Sequence, residues 1–442
     1  MKPLHICHRV LEMVGGRADT EVTATSGHLE LTRFANSFIH QNVADAQRNV
    51  TLKLAAAGRV ASAATTRVDD EGLHKLVEGA LTAAALMPID EEYPGLAPPA
   101  PVAAVDHYDS TTAGASAAER AGQVKDFVAA GPSMSAAGYC DTESTEIAFA
   151  NSAGQQAEGR GTRSTIDGIQ QTETSAGSGH QTEVAFSALG GAAVGAQAAQ
   201  RAADGSEAYD IKPGEYEVVL SPDCVGTIAV FLAAYGFNGK AVVDGQSFID
   251  PGTSQFDEQI TLVSDVADER SLGVGFDTEG TPKPRLELIA AGVTGGAAHD
   301  RRSAYKAGTE STGHGGPWSA TWGPIPTNMI LEPGSVGEAD MVASTGRGLY
   351  VATFNYCRIL DPKTQVVTGL TRNGTFMIEN GRITGAVTNL RFTQSFVAAL
   401  GPGRVLGVGR RGRFADSEFG PGVVHAPALH LAGWNFTGGA EG

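Results

Sequence analysis

Glu217 to Gly236, EVVLSPDCVGTIAVFLAAYG, reads as a buried strand that turns directly into a helix. Glu217 to Leu220 ends a short apolar run. Ser221 suits an N-cap and Pro222 the first helical position, because a serine oxygen accepts from an orphan N–H and proline has no N–H to leave unpaired. Asp223 in the first turn complements the helix dipole. Val225, Ile228, Ala229 and Leu232 recur at helical spacing as one buried stripe, and Gly236 stops the helix. Cys224 lies in the first turn, where a helix N-terminus can activate a thiol; it also reads as a small buried hydrophobe.

Upstream, Leu4 to Val14 is helical, with Leu4, Cys7, Leu11 and Val14 on one face and His5 and His8 away from it. Alternation then sets in: Val22 and Ala24, a turn at Ser26-Gly27, Leu29 and Leu31, then Val50, Leu52 and Leu54, with Gly58 leading to Val60. Asp70 is read as the cap of a helix carrying Leu73, Leu76, Val77, Ala80 and Leu81. Residues 1–93 thus form an α+β domain, and the proline-rich 94–104, including YPGLAPPAP from Tyr93, forms a linker. In 105–213 a helix over Ala117 to Ala129 precedes strands at Glu146–Ala150, Gly161–Thr172 and Thr182–Ser187, then a helix over Ala192–Ala203.

From 214 to 442 short strands dominate. Ala241–Val243, Glu287–Ile289, Leu349–Phe354, Thr375–Glu379 and Ala386–Arg391 are the clearest, with turns at Asp361-Pro362, Asn373-Gly374 and Asn380-Gly381. The fold class is α+β: a helix and antiparallel-sheet region followed by a strand-rich, β-barrel-like domain, closure being an economical way to remove strand edges. The 57 glycines among 442 residues agree with many tight turns.

A formal charge of −17 argues against nucleic-acid binding. Arg404, Arg410, Arg411 and Arg413 make the one basic cluster, read as a solvated loop or an intersubunit ion-pair patch. Cys7, Cys140, Cys224 and Cys357 form no C-x-x-C pair, which suits a reducing cytoplasm. No apolar run approaches the ~20 residues of a membrane span, and Met1 to His5 opens no apolar leader, so a soluble cytoplasmic protein is expected.

Several segments resemble, in order and spacing, those of the TldD/PmbA peptidase family. Gly275 to Pro282, GFDTEGTP, is similar to its F-D-D/x-E-G-x-P segment. Ala298-His299-Asp300-Arg301-Arg302-Ser303-Ala304 resembles its Asp-x-x-Ser-Ala, and Ser311-Thr312-Gly313-His314 its S-T-G-N. Gly348 to Val351, Ile378 to Ile383 and Ala426 to Leu431 match later family strands. In the TldD half the helix after Leu220 carries H-E-x-x-x-H. Here Pro222 stands at the first His position, Asp223 at the Glu and Thr227 at the second His. A third ligand, a Cys from the C-terminal region, has no counterpart between Val408 and Val424.

The resemblance therefore implies the PmbA half, also called TldE: a chain with no catalytic or metal-binding residue of its own and no cofactor. It would complete a proteolytic chamber around a TldD-like subunit that carries zinc, for unfolded or leader-type peptides. Asp277, Glu279, Gly280, His299, Asp300, Ser303 and His314 become candidate peptide-channel or motif residues. Asp277 and Glu279, two apart, would point the same way on a strand. A self-associating scaffold on the same fold is one alternative; a hydrolase remodelled around Cys224 or His299 is another.

Overall fold

The computed structural model describes residues 2–439. In the first half, α1 (Pro3–Val14) is followed by β1 (Asp19–Ala35), β2 (Phe38–Ala56), β3 (Arg59–Thr65) and α2 (Asp70–Leu86). After the proline-rich stretch come α3 (Ser110–Ala113), α4 (Ala117–Ala129), β4 (Ser135–Asn151), β5 (Gln156–Gln171), β6 (Ala176–Glu183) and α5 (Gly191–Asp204). These strands make one six-stranded antiparallel sheet in the order β3-β2-β1-β4-β5-β6. The segments on either side of the proline-rich stretch therefore share a sheet, joined where β1 pairs with β4 from Glu21↔Asn151 to Phe34↔Gly138.

Strand alternation explains what the sheet does. Even-numbered Val22, Ala24, Val50, Leu52 and Leu54 pack beneath α1 and α2. Phe34, Ala136, Cys140 and Ile166 pack beneath α4 and α5. The odd-numbered face, with Thr23, Thr25, Thr51 and Lys53, is left to line a cleft.

Three expectations for this half change. The turn placed at Ser26-Gly27 lies instead at Asn36-Ser37, both with positive φ (50° and 64°), so β1 runs unbroken through Gly27. Asp69, not Asp70, caps α2, its carboxylate accepting from Gly72 N at 2.7 Å. The strand expected through Ser187 ends at Glu183, and Phe186–Ala188 is a single 3₁₀ turn.

The second half opens with β7 (Gly214–Leu220), α6 (Pro222–Tyr235), α7 (Gly239–Val243), β8 (Leu262–Ser264), β9 (Leu286–Ala290) and β10 (Val293–Thr294). Then follow α8 (Arg301–Ala307), α9 (Ser319–Trp322), β11 (Met329–Leu331), α10 (Glu338–Ser344), β12 (Arg347–Val351), β13 (Phe354–Asp361) and β14 (Val366–Thr371). The chain closes with β15 (Thr375–Glu379), β16 (Arg382–Ala386), β17 (Leu390–Ser395), α11 (Phe396–Ala399), β18 (Val405–Ser417) and β19 (Gly420–Gly439). The sheet runs β10-β9-β8-β11-β19-β7-β12-β15-β16, with β18 and β17 also on β19 and a β17-β14-β13 branch.

The mixed α+β class agrees with the sequence reading, but the sheet is open rather than closed, ending at β10 and β16. Strands as short as Val293–Thr294 blunt that edge without closure. Ala241–Val243 is helix, not strand, because the Asn238 side chain accepts from Lys240 N and Ala241 N. Ala386–Arg391 is split between β16 and β17. Asn380-Gly381 forms the β15–β16 hairpin turn, whereas Asn373-Gly374, also at positive φ, carries the chain from β14 to a strand it does not pair with.

The helix α6 is buried around its whole circumference from Pro222 to Ala233, not along one stripe. It packs against β18 and β19, with Gly226 so close that a Cβ there would sit 2.5 Å from Ala415 Cβ. No helix among the described residues is long and apolar enough to cross a membrane.

Candidate functional site

At the start of α6 the Ser221 hydroxyl caps Asp223 N and donates to Ala352 O at 2.5 Å. Asp223 is 4% exposed. One of its oxygens accepts from Arg413 Nη2 at 2.6 Å and the other from Asp416 N at 2.9 Å, both on β18. One turn on, Thr227 Oγ1 accepts from Glu418 N at 3.3 Å. Burial opposes ionisation of Asp223, but Arg413, His180 and the Asp416 N–H hold its carboxyl below the usual range.

Tetrahedral zinc needs three or four nitrogen, sulfur or carboxylate donors. Pro222 offers none, Thr227 offers a hydroxyl already bonded, and both Asp223 oxygens are engaged. The residues of this turn do not fit the ion, and a guanidinium supplies the positive charge instead. Cys224 is fully buried, its thiol donating to Val351 O at 3.4 Å. Burial, with Asp223 beside it, pushes that thiol well above its ordinary pKa, so no thiolate nucleophile forms there.

The motif loops meet elsewhere, across the odd-numbered face of the first sheet. Asp277 is buried in a turn rather than a strand. It accepts from Glu279 N, Thr281 N and Gly315 N at 2.8–2.9 Å. Burial and the Glu279 carboxylate push Asp277 up to about 7 against those donors. Gly280, at φ 72°, closes the turn. Glu279 points the other way: Oε2 accepts from Arg301 N at 2.8 Å, and Oε1 lies 3.5 Å from Lys53 Nζ.

Asp300 caps α8 through Ser303 N at 2.7 Å. The His299 carbonyl accepts from Thr312 N, and its Nδ1 lies 3.1 Å from Ser303 Oγ. No carboxylate bonds the other His299 ring nitrogen among the described residues, so this pair is not a catalytic triad. His314 is buried between Ser264 Oγ and Thr312 Oγ1 at 3.0 and 2.9 Å. Burial, then Lys283, lowers it to about 3 and keeps it neutral.

Glu279, Asp300 and Ser303 line a cleft of about 840 Å³ between the first sheet and α7–α9, whereas Asp277, Gly280, His299 and His314 are not part of its lining. At its floor Lys53 Nζ lies 3.3 Å from Glu21 Oε2 and 3.5 Å from Glu279 Oε1. Burial works against the Lys53 ammonium, and the two carboxylates more than restore it. Glu21 and Lys53 carry no local motif; only the odd-numbered alternation of β1 and β2 could have flagged them. Lys53→Met should leave two carboxylates facing each other, at a cost of about 2–3 kcal/mol. That loss is greatest at neutral and alkaline pH and shrinks with acid as the Glu21 carboxyl, already raised by burial, protonates, which denaturation at pH 7.5 and 5 reads directly.

Three of the four arginines in the basic cluster have intrachain partners, and Arg411 is exposed. Arg404 pairs with Glu215, Arg410 with Asp340 and Arg413 with Asp223. His5 is exposed and His8 half-buried. His425 packs edge-on to Phe414, whereas His430 bonds Glu217 at 2.7 Å.

Comparison with known proteins follows the same lines. Residues 213–438, just over half of the chain, match the family model of the PmbA/TldA metallopeptidase C-terminal domain. A protein of Buchnera aphidicola named metalloprotease TldD homolog is 25% identical over 181 residues, 40% of this chain and only 37% of that relative's length. The crystal structure of TldE from Thermococcus kodakarensis superposes with TM-score 0.88 at 17% identity, covering 98% of this chain and 99% of the other. A Thermotoga maritima structure gives 0.85 at 16%, covering 98% and 100%. Both share the fold over nearly the whole length. The chain belongs to the PmbA/TldD metallopeptidase family.

Proposed function

We propose that this chain is the TldE-type subunit, without the catalytic zinc, of a cytoplasmic TldD/TldE-type peptidase that cleaves unfolded or leader-type peptides. The observation that carries the reading is the turn at Asp223, where Arg413 and the Asp416 N–H occupy the one carboxylate that an ion would need. Zinc belongs to the TldD-like partner, where it would activate water for attack on the peptide carbonyl. This chain contributes the threonine-lined cleft, whose walls suit an extended peptide and whose floor is fixed by Lys53 between Glu21 and Glu279. Four buried, unpaired cysteines agree with a reducing compartment.

Mixing the purified chain with a TldD-type zinc subunit should give hydrolysis of an unstructured peptide that neither shows alone, together with a joint peak in size-exclusion light scattering. Hydrolysis by this chain alone would overturn the assignment. Self-association with no affinity for the zinc subunit would favour the scaffold alternative.

A further inference from the structure

A second group of charged side chains sits where the first sheet meets β18. Asp167 on β5, His180 on β6 and Asp416 on β18 each turn one donor atom inward, and the three atoms lie within 4.8 Å of one another. Asp167 and His180 face each other across the β5–β6 pairing, and Asp416 joins them from far along the chain. His180 is 5% exposed and its ring is held at both nitrogens. Nε2 is 3.0 Å from Thr182 Oγ1, which is in turn 3.0 Å from Thr165 Oγ1; Nδ1 faces Asp167 Oδ2 at 3.3 Å.

In the tautomer whose Nε2–H donates to Thr182, Nδ1 presents a lone pair to a carboxylate oxygen, and a cation between these two acceptors satisfies both; the other tautomer donates Nδ1–H to Asp167. Fixing one imidazole nitrogen by a hydrogen bond so that the other can ligate is the usual outer-shell arrangement of a metal-binding histidine. Asp416 brings a second carboxylate, and no donor among the described residues bonds it. The nearby guanidinium of Arg413 is spent on Asp223 instead.

We propose that Asp167, His180 and Asp416 bind one divalent first-row metal ion, which ties the first sheet to the C-terminal half. One imidazole and two carboxylates suit zinc or manganese, and the half-buried carboxylates leave its remaining positions to water. The site adjoins the α6 turn, because the Asp416 N–H bonds Asp223, but it contains no residue at the family's His positions, and its role is to hold two sheets together.

The test uses the full chain, stripped with a chelator and titrated separately with Zn²⁺ and Mn²⁺ by equilibrium dialysis, with melting followed in parallel. One equivalent should bind, and Tm should rise with metal concentration. Asp416→Asn should weaken binding at least ~10-fold and abolish the metal-dependent rise, while its metal-free Tm stays at or above wild type because one of two facing carboxylates is gone. Thr182→Val should weaken binding by about 10- to 100-fold. Absence of saturable binding overturns the site, as does binding that Asp416→Asn and Asp167→Asn leave untouched. A Tm indifferent to either metal overturns it equally. Peptide cleavage with the zinc subunit is read separately, so either proposal can fail without the other.

Discussion

Arg413→Met is expected to lose about 3–5 kcal/mol of stability at neutral pH, although methionine keeps much of the side chain's apolar bulk. The loss arises at Asp223, which stays buried with Asp416 N as its remaining donor to the carboxylate. In the native chain the folded pKa of Asp223 is depressed. Its stabilisation is therefore complete above the unfolded carboxyl value near ~4 and disappears as pH falls through the folded one. In Arg413→Met the sign reverses: the carboxyl rises, so the deficit is largest at neutral and alkaline pH and narrows with acid. Adding Asp223→Asn should return most of the loss, since a neutral amide needs no counter-charge. Chemical denaturation of the single and double variants at pH 7.5 and 5 checks this. An Arg413→Met protein within ~1 kcal/mol of wild type at both pH values would show that the pair is not what fastens α6 to β18.

Gly280→Val should cost about 2–5 kcal/mol by a different route. Gly280 holds φ 72°, which a β-branched residue adopts only under strain. An added Cβ would also stand 2.2 Å from Phe149 Cε1, and that ring is fully buried against Ala157 and Phe276. The turn must yield, carrying with it Glu279, one of the two carboxylates on Lys53. Gly280→Ala should show a smaller loss of the same kind. Amide exchange across 277–281 and cleavage in the reconstituted mixture are the readouts. Unchanged protection in Gly280→Val would mean the turn is not rigidly specified.

Local chemistry made parts of this legible. Ser221-Pro222-Asp223 announces the start of α6 because each residue answers one need of a helix N-terminus. Asn380-Gly381 announces a hairpin because both positions take positive φ. The α+β class followed from the switch between helical and alternating periods. What stayed hidden depends on pairing over long separations. Nothing near Asp223 points to Arg413 and Asp416, which approach it only because β18 folds over α6. Gly27 reads as a turn residue until β2 and β4 are seen flanking it. His180 belongs to no motif; Asp167 comes opposite it through the β5–β6 pairing, and Asp416 reaches it only when β18 is brought against the first sheet. Asp277 and Glu279 looked like a parallel pair, but the backbone turn sends one inward to three N–H groups and the other out to Lys53.

The join between β1 and β4 has a consequence for synthesis. While a ribosome is still making the proline-rich stretch, the nascent hairpin of β1 and β2 shows an unsatisfied row of amides and carbonyls along seventeen residues of β1. Relief comes only when Asn151 and its predecessors emerge more than a hundred positions later. Until then the unfinished polypeptide is a template for pairing with a neighbour, and that interval is when it most needs a chaperone.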